Sequence, residues 1–187
     1  DDLGIYIYAH GTNSVRYDWK FDFNSNRSKD AELDAWAWNS DGWPIALDLD
    51  SDGWVDDLGV YIPSLRSWRW NRDYTGASDG DALDWGFSDN DRPVSGDFDS
   101  DGYHDDIALF TPANTGGTWR FNYNAGGTNG GFNTSTDRTV TGWGLPGDSP
   151  FAGDFDQDGY TDDCGLFSST DLKWRYDYNC NNTNLNS

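Results

Sequence analysis

Three times along this chain, aspartates fall on alternate positions and run into a glycine. The copies are Asp48, Asp50, Asp52, Gly53 and Asp56; Asp97, Asp99, Asp101, Gly102 and Asp105; and Asp154, Asp156, Asp158, Gly159 and Asp162. Counted from its first Asp, each loop has carboxylates at positions 1, 3, 5 and 9 and glycine at position 6. Asp and Gly are ordinary turn residues, so one copy carries little weight. Three in register constrain the fold strongly. At this spacing the side chains turn inward around a hard cation, and the glycine permits the sharp turn. The residue at position 7 (Trp54, Tyr103 or Tyr160) offers its carbonyl oxygen. The donors are all oxygen, which predicts calcium at three sites. The alternative is three solvated acidic turns.

The charge balance agrees with bound cations. The chain carries 33 acidic residues against 12 basic ones, a net charge of −21, and three divalent ions would cancel six of those charges. Nucleic-acid phosphates and anionic membranes would repel such a chain. High acidity with few aromatics would read as disorder. Here 11 Trp, 10 Tyr and 10 Phe provide too much apolar surface to leave in water. No apolar run approaches the ~18 residues of a membrane span. The chain has no Met, which reads as a processed product or a fragment whose missing part had room for a secretion signal. Cys164 and Cys180 are the only cysteines, an even count that suits one disulfide in an oxidising compartment, the alternative being two free thiols. These features predict an extracellular or cell-surface location.

The acidic loops belong to a longer repeat, with steps of 49 and 57 residues between their first aspartates. Each loop runs into a short apolar segment: Leu58-Gly59-Val60-Tyr61-Ile62, Ile107-Ala108-Leu109-Phe110 and Cys164-Gly165-Leu166-Phe167. Leu3-Gly4-Ile5-Tyr6-Ile7 is a fourth such segment. Next come alternating aromatic and polar residues: Trp19-Lys20-Phe21, Trp68-Arg69-Trp70, Trp119-Arg120-Phe121 and Trp174-Arg175-Tyr176. Period two predicts strands with one buried face. A polar loop then leads to Trp36-Ala37-Trp38, Trp85-Gly86-Phe87 or Trp143-Gly144-Leu145, read here as a further strand. Pro44, Pro93 and Pro150 open the strand entering each acidic loop. Gly or Ala at the third place of the apolar strand (Gly4, Gly59, Ala108, Gly165) suits close approach of a neighbouring sheet.

No stretch shows a helical period. The expected fold is all-β: a propeller-like tandem repeat of four-stranded antiparallel blades. It forms one repeat domain of about four units, at 1–43, 44–92, 93–149 and 150–187, the first and last incomplete. In strand numbers the units read 2-3-4, 1-2-3-4, 1-2-3-4 and 1-2-3, which exposes unpaired edges at both terminal sheets. Three arrangements satisfy those edges: closure into a small ring, a fragment of a larger propeller, or pairing with another copy. A head-to-tail contact that does not close grows a filament.

The phrase Pro93-Val94-Ser95-Gly96-Asp97-Phe98-Asp99-Ser100-Asp101-Gly102, continued by Asp105-Asp106 and an apolar strand, resembles the FG-GAP/VCBS repeats. These build calcium-binding β-propellers in integrin α-chains and in many secreted or surface proteins. The resemblance spans nearly the whole chain and is most specific in the three acidic loops. It implies structural calcium between the first two strands of a blade and no enzyme activity. The chain departs from the integrin type in showing four units where that type has seven blades. Its first loop also has Leu47-Asp48 in place of Gly-Asp.

No catalytic constellation stands out. His10 lies in a polar turn, and His104, at position 8 of the second loop, is expected to face solvent; neither has a nucleophile beside it. The repeated Trp19, Trp68, Trp119 and Trp174, with Trp36, Trp85 and Trp143, read as core. Trp43 and Trp54 break the repeat and are the better candidates for exposed contacts. Lys20, Arg69, Arg120 and Arg175 are expected over neighbouring rings or beside Asp. Asn-x-Ser/Thr glycosylation sequons begin at Asn26, Asn133 and Asn181, all in the loop after a Trp-Arg strand.

The expected function is that of an extracellular, calcium-stabilised structural or adhesive subunit. It would self-associate head-to-tail into a fibril, or bind a surface or matrix partner. The rival expectation is a lectin-like module binding glycans.

Overall fold

In a computed structural model, the structure describes residues 3–10, 15–22, 31–33, 42–72, 80–82, 85–123 and 134–182. They form antiparallel sheets of three or four strands, joined in the order of the chain. The first sheet is β1 (Leu3–His10), β2 (Val15–Asp22) and β3 (Ala31–Leu33). The second is β4 (Trp43–Leu47), β5 (Asp57–Ile62), β6 (Ser67–Asn71) and β7 (Gly80–Ala82). The third is β8 (Arg92–Gly96), β9 (Asp106–Thr111), β10 (Thr118–Asn122) and β11 (Arg138–Thr141). The last is β12 (Asp148–Gly153), β13 (Asp163–Ser168) and β14 (Lys173–Asp177). The only helices among the described residues are single 3-10 turns at Pro63–Leu65 and Tyr178–Cys180, and none could cross a membrane.

Period-two alternation places one face of the second sheet against the third, and one face of the third against the last. Tyr61, Trp68, Trp70 and Trp85 of the second sheet pack in one cluster with Ile107 and Leu109 of the third. Phe110, Trp119, Phe121 and Trp143 of the third pack with Cys164 and Leu166 of the last. The strands entering the acidic loops lie side by side, β4 against β8 and β8 against β12. Arg92 donates a hydrogen bond to the Asp148 carbonyl, and the Ser95 hydroxyl donates one to Ala46 O at 2.7 Å. The Arg120 guanidinium lies over the Phe87 ring, 4.2 Å from its centre, so this cation–π contact also crosses between sheets. Arg175 instead pairs with Asp171.

Three expectations need correction. The outer strands are β7 and β11, not the Trp-Gly segments, and Trp85 and Trp143 lie in turns after them with their rings buried. A buried carboxylate fixes each turn. Asp91 accepts hydrogen bonds from the Phe87 and Ser88 N–H groups, and Asp148 accepts one from Leu145 N–H, so these donors are not free to pair in a sheet. Gly144, at φ +94°, has a conformation no strand takes. Trp36 and Trp38 lie outside the described residues.

The second correction concerns the third place of the apolar strands. A Cβ on Gly59 would sit 2.5 Å from the Trp70 ring, and one on Gly165 would sit 2.0 Å from the Phe151 ring. Trp70 and Phe151 stand directly opposite these glycines on adjacent strands. The glycine therefore makes room for a ring of its own sheet, not for a neighbouring sheet.

The third is Trp174, which is 60 % exposed although it shares its repeat position with the buried Trp68 and Trp119. Its sheet carries the same ring, but no further sheet covers it within the described residues.

Cys164 and Cys180 are joined in a disulfide that ties β13 to the turn after β14. Trp119→Ala is expected to cost about 3–5 kcal/mol in denaturant unfolding, because it empties a filled site. Trp174→Ala should cost about 1 kcal/mol, the value of its ring contacts. Equal losses would show that the two positions are equally buried in solution.

Candidate metal centres

The three acidic loops have the same local structure. Both oxygens of the first carboxylate are capped by backbone. Asp48 accepts from Asp52 N at 3.0 Å and Gly53 N at 2.9 Å; Asp97 accepts from Asp101 N at 2.9 Å and Gly102 N at 3.0 Å. Asp154 accepts from Asp158 N and Gly159 N, both at 3.1 Å. In each loop the position-3 carboxylate accepts the same position-5 N–H at 3.2 Å. The position-5 carboxylate accepts the N–H of Trp54, Tyr103 or Tyr160, at 2.9–3.0 Å. Such Asx-type bonds coil the chain so that its carboxylates converge. Position 6 demands glycine for its backbone alone: Gly53, Gly102 and Gly159 have φ of +92°, +98° and +103°, and a Cβ there would meet nothing within 4 Å.

Convergence leaves ligand atoms together. Carboxylate oxygens of Asp48, Asp50 and Asp52 lie within 4.8 Å of one another, as do those of Asp97, Asp99 and Asp101. In the third loop the compact set is Asp154, Asp156 and Asp163, so Asp163 stands where the repeat would place Asp158. All three sets could hold a metal ion, and their donors are the oxygens a hard cation takes.

The position-9 carboxylates supply an independent test of fit. Oδ1 of Asp105 and Oδ1 of Asp162 are buried and have no hydrogen-bond partner. A buried anionic oxygen without a partner is costly unless a cation satisfies it. Burial, then the nearby Asp101 and Asp99 charges, pushes the Asp105 carboxyl up to about 6. Burial and the Asp52, Asp50 and Asp48 charges raise Asp56 likewise, and burial is the chief cause of the rise at Asp162.

The sequence reading missed the residue after position 9. Asp57, Asp106 and Asp163 are buried, and their carboxylates reach back to the start of the loop. Asp57 accepts from Leu49 and Asp50 N–H, Asp106 from Asp99 N–H, and Asp163 from Phe155 and Asp156 N–H. This residue locks each loop onto its apolar strand. The doublets Asp56-Asp57, Asp105-Asp106 and Asp162-Asp163 were the available signal.

The loops are also tied to one another. Asp48 N–H donates to His104 O, and Asp97 N–H donates to Thr161 O, each at 3.0 Å. The first residue of each of the first two loops thus bonds position 8 of the loop that follows. Ser100 Oγ adds a hydrogen bond to Asp162 at 3.2 Å. His104 is half-buried, against expectation, with Nε2 3.3 Å from Ser95 Oγ, and burial pushes its pKa down to about 4.

Trp43 and Trp54 are exposed, as expected, Trp54 at 70 %. Asn26 and Asn133 lie outside the described residues, and Asn181 is exposed. No protein-family model matches the chain, and no curated protein sequence matches it either.

Burial also pushes Asp57 up to about 6. A carboxyl with a raised folded pKa binds its proton more tightly when folded, so the metal-free chain gains stability from it as pH falls through 6. His104, with a lowered pKa, acts in the opposite sense below its unfolded value. The raised carboxyls outnumber it. In chelator, the thermal midpoint is therefore expected to be higher at pH 5 than at pH 7, and more so in a His104→Gln variant. A lower midpoint at pH 5 in that variant would contradict the assigned environment of the acidic loops.

Proposed function

We propose that this protein is an extracellular, calcium-stabilised structural or adhesive repeat protein of the FG-GAP/VCBS type, its sheets arranged as propeller-like blades. The observation that carries this reading is the threefold recurrence of one acidic loop with one hydrogen-bond pattern. Each loop joins the first two strands of its sheet, so an ion there fixes a strand pair. The ion would also neutralise mutually repelling carboxylates. Positions 1, 3, 5 and 9 supply carboxylates, joined in the third loop by Asp163, and Trp54, Tyr103 and Tyr160 their carbonyl oxygens. Binding to the folded chain alone would couple metal loading to stability. The disulfide fits an oxidising, extracellular setting.

The mechanical reading rests on unpaired strand edges. β14 has no outer partner among the described residues, and its first residues are exposed where β10 is covered by β11. Such an edge is a template for a strand of another copy, and repeated addition makes a filament. A second reading, glycan binding, draws on the exposed Trp54 and Trp43 rings, which suit stacking on sugar.

Asp101→Ala should lower the thermal midpoint in calcium and leave it nearly unchanged in chelator. Equal midpoints for wild type and variant in both conditions would refute the metal assignment. Electron microscopy of the native protein should show filaments in calcium that fray on chelation. Discrete particles in both conditions, with tryptophan fluorescence quenched by added oligosaccharide, would favour the glycan reading.

A further inference from the structure

The last sheet carries a contiguous aromatic face that is open to solvent. Trp174 packs against Phe167 and Phe151, with ring centres 4.8 and 5.1 Å away. Phe155 continues the patch to Phe151 at 5.5 Å and to Tyr176 at 5.8 Å. At position 2 of the acidic loops, Leu49 is 1 % and Phe98 4 % exposed, whereas Phe155 is 37 % exposed. Interlocked rings left in water form a surface that association would bury.

The chain itself shows what covers such a face. Trp68 and Trp70 of the second sheet pack with Ile107 and Leu109 of β9, and Trp119 and Phe121 of the third pack with Cys164 and Leu166 of β13. In both cases the covering residues are apolar ones on the strand after an acidic loop. They stand opposite polar residues: Ile107 pairs with Asn122 and Leu109 with Arg120, Cys164 with Asp177 and Leu166 with Arg175. β1 has the same register, with Leu3 opposite Asp22 and Ile5 opposite Lys20. Leu3 and Ile5 thus hold the register positions of Ile107 and Leu109. Trp174 is 60 % exposed.

We propose that the aromatic face of the last sheet docks on the β1 face of a second copy, repeating the packing that joins the second sheet to the third and the third to the last. This inference rests on the self-assembly reading above and replaces edge pairing with face-to-face stacking as its contact. The interface is head-to-tail and heterologous, so it propagates. Each copy carries a net charge of −21, so mutual repulsion opposes the contact, and screening salt and bound cations favour it.

The test uses the full chain in calcium, followed by sedimentation velocity across concentration. Wild type should associate increasingly with concentration and with added salt. Trp174→Asp should shift association to at least about tenfold higher concentration, as expected for a central aromatic anchor. Ile5→Asp should do the same from the other side, while Trp174→Phe should behave as wild type. Mixing the two Asp variants is decisive, because each retains the face the other lacks. The mixture should give dimers and stop there. Calcium-dependent melting of each variant checks that it folds. Filaments unchanged in a folded Trp174→Asp variant would overturn this inference and leave edge pairing standing. A wild type that stays monomeric at every concentration would overturn both.

Discussion

The first carboxylate of each acidic loop accepts two backbone N–H groups, from the fifth and sixth residues, and the rest of the structure depends on that interaction. Asp48, Asp97 and Asp154 close their loops this way. The closed loop sets the angle at which the incoming strand turns back as the apolar strand. It also forces like charges together. A chain with 33 acidic residues and 12 basic ones can tolerate that crowding only where hydrogen bonds or cations offset it. The backbone donors offset part of it, and the orphaned oxygens of Asp105 and Asp162 mark what remains.

Stability and assembly share this geometry. The Asp48–His104 and Asp97–Thr161 backbone bonds connect one loop to the next, so a rigid loop positions the sheet beside it. Aromatic residues on one sheet then meet aliphatic residues on the next, and both core clusters span two sheets. Order therefore passes along the series through loop contacts at one end and ring packing between the faces, as in other repeat proteins whose units contact only their neighbours.

Much of this was legible in the sequence because spacing translates directly into geometry. Alternate aspartates with a following glycine specified the coiled loop, and aromatic alternation specified the strands around Trp68 and Trp119. The outer strands were not legible: Gly80–Ala82 carries no apolar pattern, whereas the conspicuous Trp85 fills the core from a turn held by Asp91. Gly59 and Gly165 were read as contacts between sheets because the sequence does not show which ring lies opposite. The exposure of Trp174 could not be read from its own repeat position, since burial depends on the neighbouring sheet. Asp57, Asp106 and Asp163 were overlooked because the first member of each doublet already fitted a ligand role.

The most direct measurement of the central claim is the number of calcium ions held by the folded chain. Native mass spectrometry of the intact protein, desalted at low calcium and then titrated, counts them without reference to stability. The account predicts saturation at three ions, one per acidic loop, falling to two in a Gly102→Val variant whose second loop cannot adopt its positive φ. A chain that binds no calcium, or takes it up without a plateau, would contradict it.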